Sequence, residues 1–160
     1  MASATLLRPM GESAFADFRE RSVESFAREN ITAGRWPAHE APERSRLAYE
    51  RLLPQGLRTP GHHLFTVHEA HTGQAVGAVW LALSEHPTGR AGYVYDLVID
   101  AAFRRQGHGR GALAALEAIA RSWGVTELGL HVFMHNRAAQ GLYRALGFEP
   151  TGLQLQKRLA

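Results

Sequence analysis

Between Arg104 and Gly111 the chain reads Arg-Arg-Gln-Gly-His-Gly-Arg-Gly, directly after the apolar run Leu97-Val98-Ile99 and directly before a helical pattern. Glycine lets backbone N–H groups approach a ligand with no Cβ in the way. A helix beginning at such a loop adds unpaired N–H groups and about half a positive charge at its N-terminus. Together these features bind phosphate, and Arg104, Arg105 and Arg110 add charge nearby. A nucleoside-triphosphate loop is excluded, because no Gly-Lys-Ser/Thr follows. A dinucleotide fingerprint fits poorly, since the third glycine comes one residue early and strand patterns already precede the loop.

Further along, Val132-Phe133-Met134-His135-Asn136 is followed by Leu142-Tyr143 and then Leu146-Gly147-Phe148. These residues, with Arg104-Arg105-Gln106-Gly107-His108-Gly109, resemble the GCN5-related N-acetyltransferases. That family carries an Arg/Gln-x-x-Gly-x-Gly/Ala loop and a downstream Asn…Leu-Tyr…Leu-Gly-Phe signature. Leu97-Val98-Ile99-Asp100 is similar to the strand that leads into the family's loop, with Ala101 where a proline is usual. The segment from Leu52 to His62 resembles a bacterial subgroup of the family.

The resemblance implies acetyl-CoA as cosubstrate and direct acetyl transfer to a primary amine. It implies that backbone groups of Leu97, Val98 and Ile99 pair with the pantetheine arm as if it were an added strand. Backbone amides from Arg105 through Gln106, Gly107, His108 and Gly109 to Arg110 would hold the pyrophosphate, with Arg104 beside them. Asn136 would hydrogen-bond the arm near its thiol end. Tyr143 would protonate the departing thiolate. A phenol with a pKa near 10 stays protonated at neutral pH and can hydrogen-bond sulfur as charge develops on it, the parent thiol having a pKa of about 8.5. Packing of the Tyr143 ring on the apolar face of its own helix is the competing role. For the base that takes the amine's proton, two residues compete. Asp96 lies on the strand facing the thioester region, and His131 occupies a position where some relatives carry glutamate. Each also has a purely structural alternative.

These residues need a scaffold. A chain of 160 residues, 45% hydrophobic and 21% charged, suits one domain over residues 1–160, with the acyl-CoA half from about residue 91. The expected class is α/β (α+β), a mixed and mostly antiparallel sheet flanked by helices, in the order β-α-α-β-β-β-α-β-α-β. Leu6 to Met10 opens as a strand, and Phe15, Phe18, Val23 and Phe26 space a helix from Glu12 to about Asn30. A second helix starts near Pro42-Glu43. His62 to Glu69 and Gln74 to Leu83 read as an antiparallel hairpin, and Gly92 to Asp100 as another strand. Leu113, Leu116, Ile119, Ala120 and Trp123 define a helical face that stops at Gly124. Leu128 to Phe133 reads as a strand, Asn136 as the N-cap of a last helix, and Phe148 to Leu159 as the final strands.

Composition narrows the function. There are no cysteines, so disulfides, thiolate metal sites and a cysteine nucleophile are excluded. Cysteine-free composition and the lack of a signal-peptide pattern at the start fit a cytoplasmic protein. No apolar run reaches the roughly 20 residues of a bilayer span, so no membrane partner is expected. Lys and Arg exceed Asp and Glu only 18 to 15, and Lys157 is the only Lys, so nucleic-acid binding is not expected. The nine histidines show no tight ligand spacing, so no metal is expected. Trp36, Trp80, Tyr93 and Tyr95 could line an acceptor pocket or pack a core. The expected partner is a small-molecule or peptide amine, with a homodimer compatible with the sequence. A non-catalytic acyl-CoA-binding regulatory module is the alternative, and Asn136 and Tyr143 argue against it.

Overall fold

The computed structural model describes residues 4–159. Five strands form one sheet in sequence order: β1 (Thr5–Pro9), β2 (His62–Glu69), β3 (Ala75–His86), β4 (Gly89–Ile99) and β5 (Val125–Leu130). The first four run antiparallel and β5 joins β4 in parallel, so the sheet is mixed as the sequence implies. Four α-helices are described: α1 (Glu12–Thr32), α2 (Ala41–Leu52), α3 (His108–Ser122) and α4 (Arg137–Ala145).

Period-2 patterning gives the sheet two apolar faces, and each has its own core. On one face Met10, Phe15, Phe18, Tyr49 and Leu53 from the β1–α1–α2 region enclose Leu64, Ala78 and Trp80. On the other, Ala112, Leu113, Leu116 and Ala120 of α3 close over Phe65, Val67, Val76, Val79, Leu81 and Val94. Leu142, Tyr143 and Leu146 of α4 pack against the edge of this second core.

Two expectations need correcting. β5 ends at Leu130, so His131, Val132 and Phe133, read as strand from the sequence, lie in the irregular segment before α4. Residues 148–159 form no final strand. Strand geometry requires a neighbour's N–H and C=O groups, and no described strand pairs with this segment. Its leucines stand in solvent, with Leu153 80% and Leu155 87% exposed. The element order is thus the expected one without its last β.

Candidate active site

The end of β5, short of the end of β4, organises the site. β5 pairs with β4 only from Arg90 to Val94, facing Val125 to Leu130. Beyond Val94, β4 continues to Ile99 paired on its other side alone, where Leu97, Val98 and Ile99 face Val79, Ala78 and Gly77 of β3. β5 itself ends at Leu130, the last residue of that pairing. Beyond it this edge of β4 has no described strand beside it, and an extended ligand could pair there.

At the open end of that edge sits the glycine-rich loop. A short 3₁₀ turn at Ala101–Phe103 carries the chain off β4. Arg105 and Gly107 then take left-handed backbone angles, with φ of 62° and 85°. Such a curl turns successive amides toward one concave side. Gly107 is the N-cap of α3 and no side chain caps the helix, whose first internal bond runs from the Gly111 N–H to the Gly107 carbonyl at 3.0 Å. The orphan donors are therefore the amides of His108, Gly109 and Arg110.

The loop is held from beneath. The Arg104 Nε donates to the Ile99 carbonyl at 2.9 Å, and Gln106 Nε2 donates to the Ala102 carbonyl at 3.4 Å. His108 turns inward, 3% exposed and edge-on to Phe103, so it can offer a ligand its backbone rather than its ring. A Cβ on Gly109 would sit 3.3 Å from the Leu142 Cδ2 of α4 and 3.9 Å from Ile99. The helix start, the end of β4 and α4 thus converge at Gly109, a close approach that a larger residue would push apart.

Asn136 and Tyr143 come in on α4. The Asn136 Oδ1 accepts from the Ala139 N–H at 3.2 Å, which makes it the N-cap that the sequence suggested. Its Nδ2 remains a donor. Tyr143 is partly buried and edge-on to Phe148 at 5.6 Å. Burial raises its phenol above the ordinary value, with the charge of Asp96 adding to the rise.

Asp96 occupies the opposite face. A bulge in β4 explains its orientation: Trp80 pairs with Asp96 and Leu81 with Val94, leaving Tyr95 unpaired. Asp96 therefore turns toward α1, where Ser22 Oγ donates to its carboxylate at 3.2 Å. Burial pushes its pKa up from 3.8 to about 6, with Glu29 contributing repulsion and bonds from Ser22 and the Leu97 N–H opposing the rise. Glu29 in turn meets His135 Nε2 at 3.1 Å. Asp96 and Tyr143, from opposite faces of the sheet, interact electrostatically.

His131 does not join them in the same way. It lies just past the end of β5, exposed and edge-on to Phe133 at 4.9 Å. Residues that sequence reasoning had not singled out are Ser22 and Glu29, both on α1. An α1 face that meets β4 in space gives no local signal linking it to a residue more than 60 positions away, so this pairing was legible only in three dimensions.

Residues 24–148 match the Acetyltransferase (GNAT) family. Two proteins of Bacillus subtilis (strain 168) are similar over nearly the whole chain. The uncharacterized N-acetyltransferase YycN is 37% identical over 155 residues, covering 96% of this chain and 98% of its own. The uncharacterized N-acetyltransferase YdgE is 37% identical over 157 residues, covering 98% and 99%. A crystal structure of YycN, described as a putative acetyltransferase, superimposes with a TM-score of 0.93 at 35% identity, over 98% of this chain and 99% of that one. A putative acetyl transferase from Pyrococcus furiosus shares the fold, with a TM-score of 0.71 at 23% identity over 97% and 99% of the two chains.

Proposed function

Since the chain belongs to the GNAT acetyltransferase family, whose members are acyl-transferring enzymes, we propose that it moves an acetyl group from acetyl-CoA directly to a primary amine. The observation that carries this reading is the convergence at Gly109 of the uncapped α3 N-terminus, the open edge of β4 and the helix bearing Tyr143. These residues fit acetyl-CoA along its length. Amides from Arg105 to Arg110 take the pyrophosphate, with Arg104 beside them. The edge of β4 at Leu97, Val98 and Ile99 takes the pantetheine arm, and Asn136 Nδ2 donates to it near the sulfur.

At the reacting end the residues divide the proton work. Backbone N–H groups at the β4 edge polarise the thioester carbonyl. Tyr143 donates to the sulfur as the C–S bond breaks, a role that its raised pKa supports because the phenol stays protonated. Asp96 receives the amine's proton, directly or through water. Moving a proton from an ammonium to an ordinary carboxylate costs about 9 kcal/mol, and to one at pKa 6 about 6 kcal/mol. Burial of Asp96 therefore shortens the climb by a third. His131, the other candidate base, is exposed and lacks such an environment, so Asp96 is the better assignment. Direct transfer requires no covalent acyl-enzyme, consistent with the cysteine-free sequence. Among the described residues no helix is long and apolar enough to cross a membrane, and the cysteine-free sequence supports a cytoplasmic setting.

The direct test is thiol release from acetyl-CoA in the presence of a panel of primary amines, with the acetylated product identified by mass spectrometry. Amine-dependent release with N-acetyl product is expected. Acetyl-CoA binding with no release across the panel would favour the regulatory module instead.

A further inference from the structure

One face of the sheet beside Asp96 carries more aromatic surface than a core needs. Tyr93 is 38% exposed and Tyr95 40% exposed, and no other Phe, Trp or Tyr among the described residues is left exposed. The β4 bulge brings both rings and the Asp96 carboxylate to the same side of the strand. The two tyrosine rings meet edge to face at 68° with centroids 4.7 Å apart, which makes a partly exposed aromatic corner.

That corner is rigidly backed. Tyr95 stacks on Trp80 at 4.6 Å, and Trp80 is itself 1% exposed. The Trp80 Nε1–H donates to His62 Nδ1 at 2.9 Å, and the His62 ring also stacks on Tyr95 at 5.8 Å. Accepting that bond requires an unprotonated Nδ1. Burial, with His63 adding to it, holds His62 below the usual imidazole range, so the wall stays uncharged. Opposite Tyr93, β5 carries Gly129, which has no side chain to cover the ring. On the acidic side stand Asp96 and Glu29, with His135 paired to Glu29.

Flat aromatic faces next to carboxylates have a matching ligand. Resting on the acetyl-transfer reading of this cleft, we propose that the acceptor is a primary amine carried on an aromatic body, seated in the Tyr93–Tyr95 corner with its ammonium turned toward Asp96 and Glu29. The rings hold the body by stacking and edge-to-face contact. They also attract the cation before it loses its proton. A polyamine matches only half of this surface, because its body carries further charges that the apolar corner leaves unpaired.

The test uses 2-phenylethylamine, n-butylamine and spermidine as acceptors with the full-length protein. Expected is a kcat/KM for 2-phenylethylamine at least about tenfold above either competitor, an aromatic contact worth 1.4 kcal/mol being tenfold. In Tyr93→Ala and Tyr95→Ala this preference falls toward one while KM for acetyl-CoA stays put, and Tyr95→Phe retains it. A preference for spermidine, or a preference unmoved in both alanine variants, overturns the proposal. Calorimetric titration of 2-phenylethylamine into the CoA-saturated protein separates the two readings. Binding that weakens in the alanine variants without any acetyl transfer keeps the aromatic site and overturns the transferase reading. Acetyl transfer that ignores both tyrosines does the reverse. CoA-induced stabilisation of each variant verifies that it is folded.

Discussion

Asp96 is a carboxylate whose folded-state pKa lies above its unfolded value, so it costs stability when ionised. The folded state holds its proton more tightly than the unfolded chain over the range from 3.8 to about 6. Stability contributed by this group is therefore greatest below that range, falls as pH rises through it, and is level above it. The whole change is on the order of 3 kcal/mol. Urea unfolding of wild type and Asp96→Asn between about pH 4 and pH 7 should show the variant gaining relative stability as pH rises, because the asparagine can still accept from Ser22 and carries no charge. A constant difference across this range would mean that Asp96 titrates normally. The same carboxylate predicts the acidic limb of kcat/KM. That limb should fall near pH 6 and disappear in Asp96→Asn, along with most of the activity. Tyr143 gives an independent residue-scale prediction. Tyr143→Phe keeps the ring against Phe148 and the α3-side core while removing the proton donor. A fall in kcat of about 10²-fold or more is expected, with KM for acetyl-CoA unchanged. Unchanged turnover in steady-state assays would return Tyr143 to a packing role.

At the scale of elements, α4 joins two roles in one side chain. Asn136 uses Oδ1 to cap the helix through the Ala139 N–H, which leaves the Nδ2 donor for the role proposed for it at the acyl donor. Asn136→Asp preserves the cap and removes the donor, so its melting temperature should match wild type within a degree or two. Its dissociation constant for acetyl-CoA should rise about tenfold, the worth of one hydrogen bond. Asn136→Ala should lose both the affinity and about 1 kcal/mol of stability. Isothermal titration with thermal melts separates the cap from the donor, and an aspartate variant with wild-type affinity would remove Asn136 from the binding site. The helices were legible in the sequence for local reasons. Leu113, Leu116 and Ala120 repeat at helical spacing, and Gly124 and Gly147 end their helices with positive φ. The sheet's irregularities were not. The bulge that turns Asp96 toward α1 depends on register against Trp80, a cross-strand relation that no local pattern encodes. The last strand read from Phe148 onward failed for the same reason: alternating leucines at 153 and 155 supply one side of a ladder, and the described chain supplies no other.

The whole molecule brings together pieces that are far apart in sequence. The cleft proposed for the acyl donor draws on the edge of β4, the loop opening α3 and the cap of α4, which come from three separate stretches of the sequence. A ligand that spans them binds the native state and not the unfolded chain, so it must raise the melting temperature. At a concentration of 100 times Kd the gain is about 2.7 kcal/mol. For a chain of this size, each kcal/mol shifts the melting point by about 2–4 °C, giving a rise of roughly 5–11 °C for acetyl-CoA. Fragments apportion that rise. CoA keeps every phosphate and should stabilise nearly as well as acetyl-CoA. Pantetheine, at the same concentration, retains only the part that pairs with β4 and meets Asn136, and should move the melting point by less than about 1 °C if the loop supplies most of the affinity. Adding salt should shrink the CoA shift, because the amides and arginines around Gly107 act on phosphate charge, and leave pantetheine unaffected. Equal stabilisation by pantetheine and CoA would show that the loop between Arg104 and Gly111 only shapes the chain and that the open edge of β4 alone retains the donor.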